Sequence, residues 1–539
     1  MAGTFDYLVV GAGSAGCVLA RRLGERPGTK VLLLEAGGSD RHPLIDMPYG
    51  FGAITHDPNF SWLFDSVPEP ALGGRRVRLP RGKRLGGSSA INGMLYVRGQ
   101  HQDYDDWAAD GLGDWRWQDV LPWFRKAEDQ ERGADEWHGT GGPLHVSDLV
   151  LRDPLSDAII AAGEAIGLPR TDDFNGAQQL GVGYFQANIR DGRRWSAARG
   201  YLRSQGGVGT NVHIATNALA TRILFDGQRR ATGVEYRQGG RLLTAHATRE
   251  VIVAAGAFQS PALLQASGVG AGSRLQGLGI PVIADRPAVG KNLQDHFGVP
   301  MMWRLHRDAP SFNARLGGLG LVGSVLRYFT THRGIMALPL AQVGAFAAVA
   351  PGATRPDVQF HLLPLSGDVQ KEVDNAKQQV DPFPGLSICP CALRPTSRGE
   401  VWIGSPDTGV APNIHLNYLD TAADRELTLA AMRYAQRLAA AAPLAQWMEG
   451  PSSPGPEVGT DDELMAYARR VGLTLHHPVG TCRMGSDADS VVDPQLRVRG
   501  VEGLRVIDAS VMPRLVSGNT HAATVMIAER GAAFLNAGA

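Results

Sequence analysis

The chain has 539 residues, 43% hydrophobic and 20% charged, a balance that describes two or three folded domains and excludes a disordered protein. Lysine plus arginine equals aspartate plus glutamate, 53 each, with no basic stripe, which argues against a nucleic-acid partner. Four cysteines (Cys17, Cys389, Cys391, Cys482) are too few for a disulfide framework and fit buried thiols in a reducing, cytoplasmic setting.

Residues 1–13, MAGTFDYLVVGAG, lack the basic segment, apolar core and cleavage site of a secretory leader and run directly into a strand. FDYLVV (5–10) is short, apolar and β-rich; GAGSAG (11–16) follows; CVLARRLGE has helical apolar spacing; KVLLLE (30–35) is a second buried strand. Together they predict a βαβ unit. Gly11, Gly13 and Gly16 form a G-x-G-x-x-G between strand and helix, and Glu35 closes the next strand 19 residues after Gly16. Glycines permit the tight turn and a close approach of backbone to pyrophosphate, the helix N-terminus favours negative charge, and the carboxylate suits the hydroxyls of an unphosphorylated ribose. NAD and FAD share this fingerprint. A second match, GLGLVG (318–323), has no strand before it and Gln342 in place of the acid, and reads as chance.

Further along, RGKRLGGSSAINGMLYVRG (81–99) clusters backbone N–H groups and hydroxyls, a surface that suits a flavin ring better than a nicotinamide. Residues 250–270 again read as strand, glycine turn and helix. From 300 to 464 the texture changes: 357–364, 399–405 and 413–419 predict sheet strands, and 423–441 a long amphipathic helix. LGGLGLVGSVLRYF (316–329) reads as a core helix, with an apolar entrance or a membrane contact as alternatives. The longest apolar run, 334–350, is interrupted by Pro339, Gln342 and Gly344, so no transmembrane segment is expected, while peripheral membrane contact stays open. Residues 503–513 predict a strand and 521–535 a helix with Val525, Ile527, Ala528 and Phe534 on its apolar face. The expected fold class is α/β with an α+β second domain. A discontinuous Rossmann-like domain (1–152, 193–296 and 465–539) carries an inserted substrate domain of antiparallel sheet plus helix (153–192 and 297–464).

Segments 81–99 and 256–270 resemble the two signatures of the glucose-methanol-choline (GMC) oxidoreductase family. VGKNLQDH (289–296), LRPTSRGEV (393–401), HPVGTCRMG (477–485) and VIDASVMP (506–513) extend the resemblance, in family order, over nearly the whole chain. It implies bound FAD and an alcohol or similar hydroxyl compound as substrate. Residue by residue, it places FAD on Gly11, Gly13, Gly16, Glu35 and Ala36, with Gly87, Asn92, Gly93 and Met94 near the ring. Leu219 would offer backbone contacts to the adenine, Ala255 and Gly256 would lie under the adenosine, Asp508 and Ala509 near the pyrophosphate, and Asn519 and Thr520 beside the ring. Members that attach FAD covalently use a histidine after the Gly-Gly-Ser-Ser-like run; Ile91 stands there, so non-covalent FAD is expected.

Oxidising an alcohol requires a base for the hydroxyl proton and an acceptor for the hydride. The resemblance makes the base the histidine of H-x-x-G-T, which is His477, and matches its partner to His521, which would hydrogen-bond the substrate oxygen. His476 is expected on the opposite face of an extended segment, as scaffolding. His296 is expected to be structural, near the nucleotide. No metal site is expected from His476, His477, Cys482 and His521, because adjacent histidines rarely chelate one ion and no carboxylate falls in register. The electron acceptor would be a quinone, a carrier protein or oxygen. An acceptor-dependent dehydrogenase of an uncharged primary alcohol is favoured. Choline oxidation, an oxygen-using oxidase, a hydroxynitrile lyase with a redox-silent flavin and an NAD-dependent dehydrogenase are the alternatives. Trp303, Trp402 and Trp447 are candidates for a choline cage, and Trp62 for a lid.

Overall fold

The computed structural model describes residues 3–375 and 379–537. Two apolar cores organise the chain, each built on its own sheet. In the first, Gly3–Val10 and Val31–Leu34 pair in parallel with Val10 level with Leu34. Their leucines and valines are buried on both faces, the pattern of interior parallel strands. Val212–Ala215 and Arg241–Val253 flank them in parallel, and Leu504–Val506 pairs with the end of Arg241–Val253. The start of that long strand turns instead into an antiparallel meander with Ala231–Gln238 and Ala218–Phe225. Helix Ser14–Gly24 packs against the C-terminal helix Thr520–Ala537. A buried ion pair joins them, Arg22 to Glu529 at 2.8 Å, with the Tyr201 hydroxyl donating to Glu529 at 2.9 Å. The start and end of the chain are thereby locked together.

The second sheet is antiparallel, in the order Met448–Ser453, Met301–Leu305, Gly385–Ala392, Val358–Leu363, Val343–Ala347, Gly181–Tyr184. Helix Ala422–Ala439, capped by the Thr421 side chain accepting from Asp424 N–H, covers Gly385–Ala392. Gly181–Tyr184 and helix Pro154–Ala165 bring residues from the 153–192 segment into this second unit.

Several elements differ from expectation. Segments 399–405 and 413–419 contribute only a separate ribbon, Glu400–Trp402 with Asn413–His415, outside the main sheet. Helix Asp461–Val471 straddles the expected boundary and buries Leu464, Met465, Tyr467, Ala468 and Val471 in the second core. Leu473–Thr474 pairs with Phe297–Gly298 in that sheet, so the chain leaves the second unit after Thr474. The hairpin of Ser61–Asp65 and Arg78–Gly82 lies early in the chain yet places Phe64, Leu79 and the neighbouring Val77 in the second core. Helix Gly318–Thr331 lies on the surface, with Leu319 90% and Leu326 65% exposed. Apolar periodicity identifies a helix face but not the side from which it is covered. No helix of the described residues is long and apolar enough to cross a membrane.

Candidate active site

A cavity of about 550 Å³ runs from the glycine-rich turn of the first unit to the second sheet. At the first end, Gly11 has φ +99°, and a Cβ there would meet Ala254 O at 2.5 Å. A Cβ on Gly13, by contrast, would meet no protein atom within 4 Å, so the backbone faces open space that a ligand can approach. Helix Ser14–Gly24 has neither a capping side chain nor an acidic residue in its first turn, which leaves N–H groups free for an anion. Gly16 does not line the cavity. Its Cβ would collide with the Gly11 carbonyl, so this glycine serves helix-on-strand packing rather than ligand contact.

Glu35 accepts from Ala12 N–H at 2.9 Å and Gly37 N–H at 2.8 Å, and burial lifts its carboxyl to about 7 despite both bonds. Asp508 accepts from Gly256 N–H and Ser510 N–H at 2.8 Å and from the Ser260 and Ser510 hydroxyls at 2.5 Å. Its carboxylate is thus consumed in holding the Gly256 turn, where φ is +85°. Ala36, Leu219, Ala255, Gly256 and Ala509 all line this part of the cavity.

Midway, Gly87 (φ +52°) packs onto the first loop so closely that its Cβ would lie 2.7 Å from Gly13 Cα. Asn92 accepts from Met94 N–H at 3.1 Å, and Met94 has φ +63°. Arg194, absent from the sequence reading, is buried beneath this segment and donates to Asn92 O at 2.6 Å and Asn92 Oδ1 at 2.9 Å. Gly87, Asn92, Gly93, Met94 and Ile91 line the cavity, as does Trp62 on the hairpin. An uncapped helix start, a carboxylate, open backbone at Gly13 and Gly256, and a second loop of backbone amides fit an adenine dinucleotide carrying a flavin ring.

At the far end stands His477, 7% exposed. Its backbone N–H donates to Asp295 Oδ1 at 2.7 Å. Asp295 also accepts from His296 N–H at 2.9 Å and from the Tyr418 and Thr474 hydroxyls at 2.5 Å, pinning the histidine loop onto the 289–296 segment. His477 Nδ1 lies 2.9 Å from His296 Nδ1, and His296 Nε2 lies 2.9 Å from Leu393 O. A carbonyl only accepts, so His296 carries its proton on Nε2. Burial pushes its pKa down to about 4, leaving Nδ1 a bare acceptor at neutral pH. His477 must then donate from Nδ1, which leaves its Nε2 unprotonated.

That nitrogen lies 3.1 Å from Asn519 Nδ2, and Gln359 Nε2 donates to Asn519 Oδ1 at 3.3 Å, orienting the amide. The hydrogen-bond neighbour of His477 Nε2 is thus Asn519, expected beside the ring, while His521 shares the cavity wall with both. His521 lines the cavity but turns Nδ1 to Ser14 Oγ at 2.9 Å. Asn519 precedes the C-terminal helix and His521 lies in its first turn, so their side chains diverge. Thr520, between them, also lines the cavity.

His476 differs from expectation as well. Its φ is +65°, so the extended alternation fails, and both adjacent histidines line the cavity. Burial lowers His477 well below the ordinary histidine value and brings His361 and His521 to about 4. All are neutral imidazoles at pH 7. Two of their ring nitrogens, His521 Nε2 and His361 Nδ1, are buried without a hydrogen-bond partner among the described residues, as is Gln359 Oε1. His296, His361, Gln359 and Asp295 were not assigned to the site from sequence; only the 289–296 motif hinted at the first and last.

GMC oxidoreductase family models match residues 5–298 and 395–528. An alcohol dehydrogenase [acceptor] of Pseudomonas putida is 41% identical over 98% of this chain and 95% of its own. An oxygen-dependent choline dehydrogenase of Yersinia pseudotuberculosis is 40% identical over 98% and 92%. Among solved structures, pyridoxine 4-oxidase from Mesorbium loti is 32% identical with a TM-score of 0.87, covering 98% of both chains. An Aspergillus oryzae formate oxidase is 26% identical with a TM-score of 0.92, covering 100% of this chain and 99% of its own. FAD, not NAD, is the dinucleotide of this cavity, and the chain belongs to the GMC oxidoreductase family as an FAD-dependent oxidoreductase.

Proposed function

We propose that this enzyme oxidises an uncharged primary alcohol to the aldehyde and passes the electrons to a quinone-type or other acceptor. The observation that carries the reading is His477 Nε2 facing the Asn519 amide across 3.1 Å at the cavity wall. An alcohol oxygen seated against both groups gives its proton to His477 Nε2 while the Asn519 N–H steadies the developing alkoxide. Asp295 and His296 hold the base in place and fix its tautomer. FAD, bound non-covalently since Ile91 occupies the tethering position, supplies the two-electron acceptor for the carbinol hydride.

The wall contributed by the second unit favours an uncharged substrate over choline. It presents Pro300, Met302, Leu340, Leu363 and Leu365, and its one carboxylate among the described residues, Asp368, is paired with Lys371 at 3.1 Å. Trp303, Trp402 and Trp447 do not line the cavity, so they form no cage there. The relatives named for alcohol and for choline oxidation support the reaction class equally. Anaerobic mixing of the purified flavoprotein with a panel of primary alcohols and choline tests the proposal. Bleaching of the flavin band by an uncharged alcohol, followed by faster re-oxidation by a quinone than by air, is expected. An unchanged flavin with cyanide released from a hydroxynitrile would move the reading to a lyase.

A further inference from the structure

Of the eight large apolar side chains exposed among the described residues, five lie on helix Gly318–Thr331. Leu319 (90% exposed), Val322 (64%), Leu326 (65%) and Phe329 (50%) recur at i, i+3, i+7 and i+10 and form one stripe along the helix. The opposite side is already occupied: Tyr328 is buried and Val325 packs against a small core with Met47, Phe312, Leu316 and Leu365. An apolar stripe on the outer face of a helix that has buried its inner face calls for an apolar environment outside the protein.

The charges around it say which. Residues 309–356 contain no aspartate or glutamate, and Arg315, Arg327 and Arg333 are exposed and make no ion pair with any described residue. In a chain with a formal net charge of zero, this is a local excess of positive charge beside exposed leucine, valine and phenylalanine. We propose that this helix docks the enzyme on an anionic lipid bilayer, with the Leu319–Phe329 stripe in the acyl boundary and the arginines at the headgroups. Tyr49, Leu363, Leu365 and Val380 belong to or pack on the small core beneath the helix and also line the active-site cavity, so the docked face adjoins the cavity wall.

Co-sedimentation of the flavin-loaded full chain with vesicles of phosphatidylcholine, with and without phosphatidylglycerol, tests this without any substrate, so its outcome is independent of the proposed reaction. Binding to the anionic vesicles is expected at roughly tenfold higher affinity than to the neutral ones, and to weaken with salt. Val322→Glu with Leu326→Glu should abolish it, while flavin content and turnover of a short, water-soluble alcohol stay unchanged. Arg327→Glu with Arg333→Glu should remove only the preference for anionic lipid. Sedimentation of the first double variant at the wild-type level, or no binding to either vesicle, overturns the proposal. So does a lipid-free, concentration-dependent dimer that the same Val322→Glu, Leu326→Glu change abolishes, which would make the face an interface between copies.

Discussion

The two ends of the cavity hold their polar groups in opposite ways. At the dinucleotide end the carboxylates are satisfied by the protein itself: Glu35 by two backbone N–H groups, Asp508 by four donors. What remains open there is backbone, at Gly13, Gly256 and the uncapped helix start. At the substrate end the open groups are side-chain atoms: His361 Nδ1 and Gln359 Oε1 are buried with no partner among the described residues, as is His521 Nε2 between the two ends. An unpaired buried polar atom costs ~1–3 kcal/mol, so this end is held in readiness for a ligand by the surrounding fold. The cofactor is gripped by geometry that glycine permits, and the reacting molecule is met by neutral imidazoles and amides.

The largest effect should come where geometry is tightest. Gly16→Ala forces a Cβ onto the Gly11 carbonyl, so the variant should yield little soluble protein and retain no FAD. Gly13→Ala meets no protein atom within 4 Å and should fold with an unchanged apoprotein Tm, yet bind FAD at least about tenfold more weakly. Absorbance after desalting and thermal melts read both. Equal damage from the two changes would erase the distinction between packing glycine and ligand-facing glycine. At the other end, His477→Ala should keep its flavin and lose at least about 10²-fold in the rate of flavin reduction by alcohol, the scale of a lost general base.

The same contrast explains what was legible beforehand. The glycine turn and Glu35 lie on one continuous βαβ unit, so their spacing in sequence is their spacing in space. His477 was legible through a local motif whose neighbours set its loop. Its surroundings were not: His361 and Gln359 sit on Val358–Leu363 of the second sheet, and Arg194 on a short segment with no pattern of its own. Asn519 and His521 are two residues apart, and the start of the final helix sets the Asn519 amide against His477 while His521 Nδ1 turns to Ser14. The helix Gly318–Thr331 lies outside the core expected for it because an apolar stripe has the same period whether it faces a core or the outside.

A smaller effect tests the link between the base and its support. His296→Leu removes the acceptor of His477 Nδ1 and should slow flavin reduction about tenfold, the worth of one hydrogen bond to a reacting group. His296→Gln, able to accept from His477 and donate to Leu393 O, should recover most of the rate. The pH profile separates positioning from mere packing. Burial first, and then the neighbouring His296, hold His477 well below the usual histidine value, so the base stays unprotonated as pH falls. The wild-type rate should therefore be flat from pH 9 to about 6 and decline only in more acidic solution. Removing His296 removes one of those causes, and the acidic decline should move to higher pH. A profile that does not move, together with no rescue by Gln, would reduce His296 to packing.

The smallest effect belongs to His476, and it is the sharpest check on the assignment because that residue shares the cavity wall with His477. Its ring makes no hydrogen bond with any described residue, whereas its backbone is held twice, by N–H to Thr474 Oγ1 at 2.8 Å and by the carbonyl accepting from Arg81 at 2.8 Å. Alanine keeps both backbone bonds, so His476→Ala should preserve the loop and slow flavin reduction by less than about threefold, under ~1 kcal/mol in the barrier. The backbone at φ +65° adds a second handle. His476→Gly relieves that conformation and should be at least as stable to heat as the alanine variant, with the same rate. A collapse of about 10²-fold in His476→Ala beside a mild His477→Ala would transfer the base to the neighbouring histidine, and with it the meaning of the His296 and Asn519 contacts.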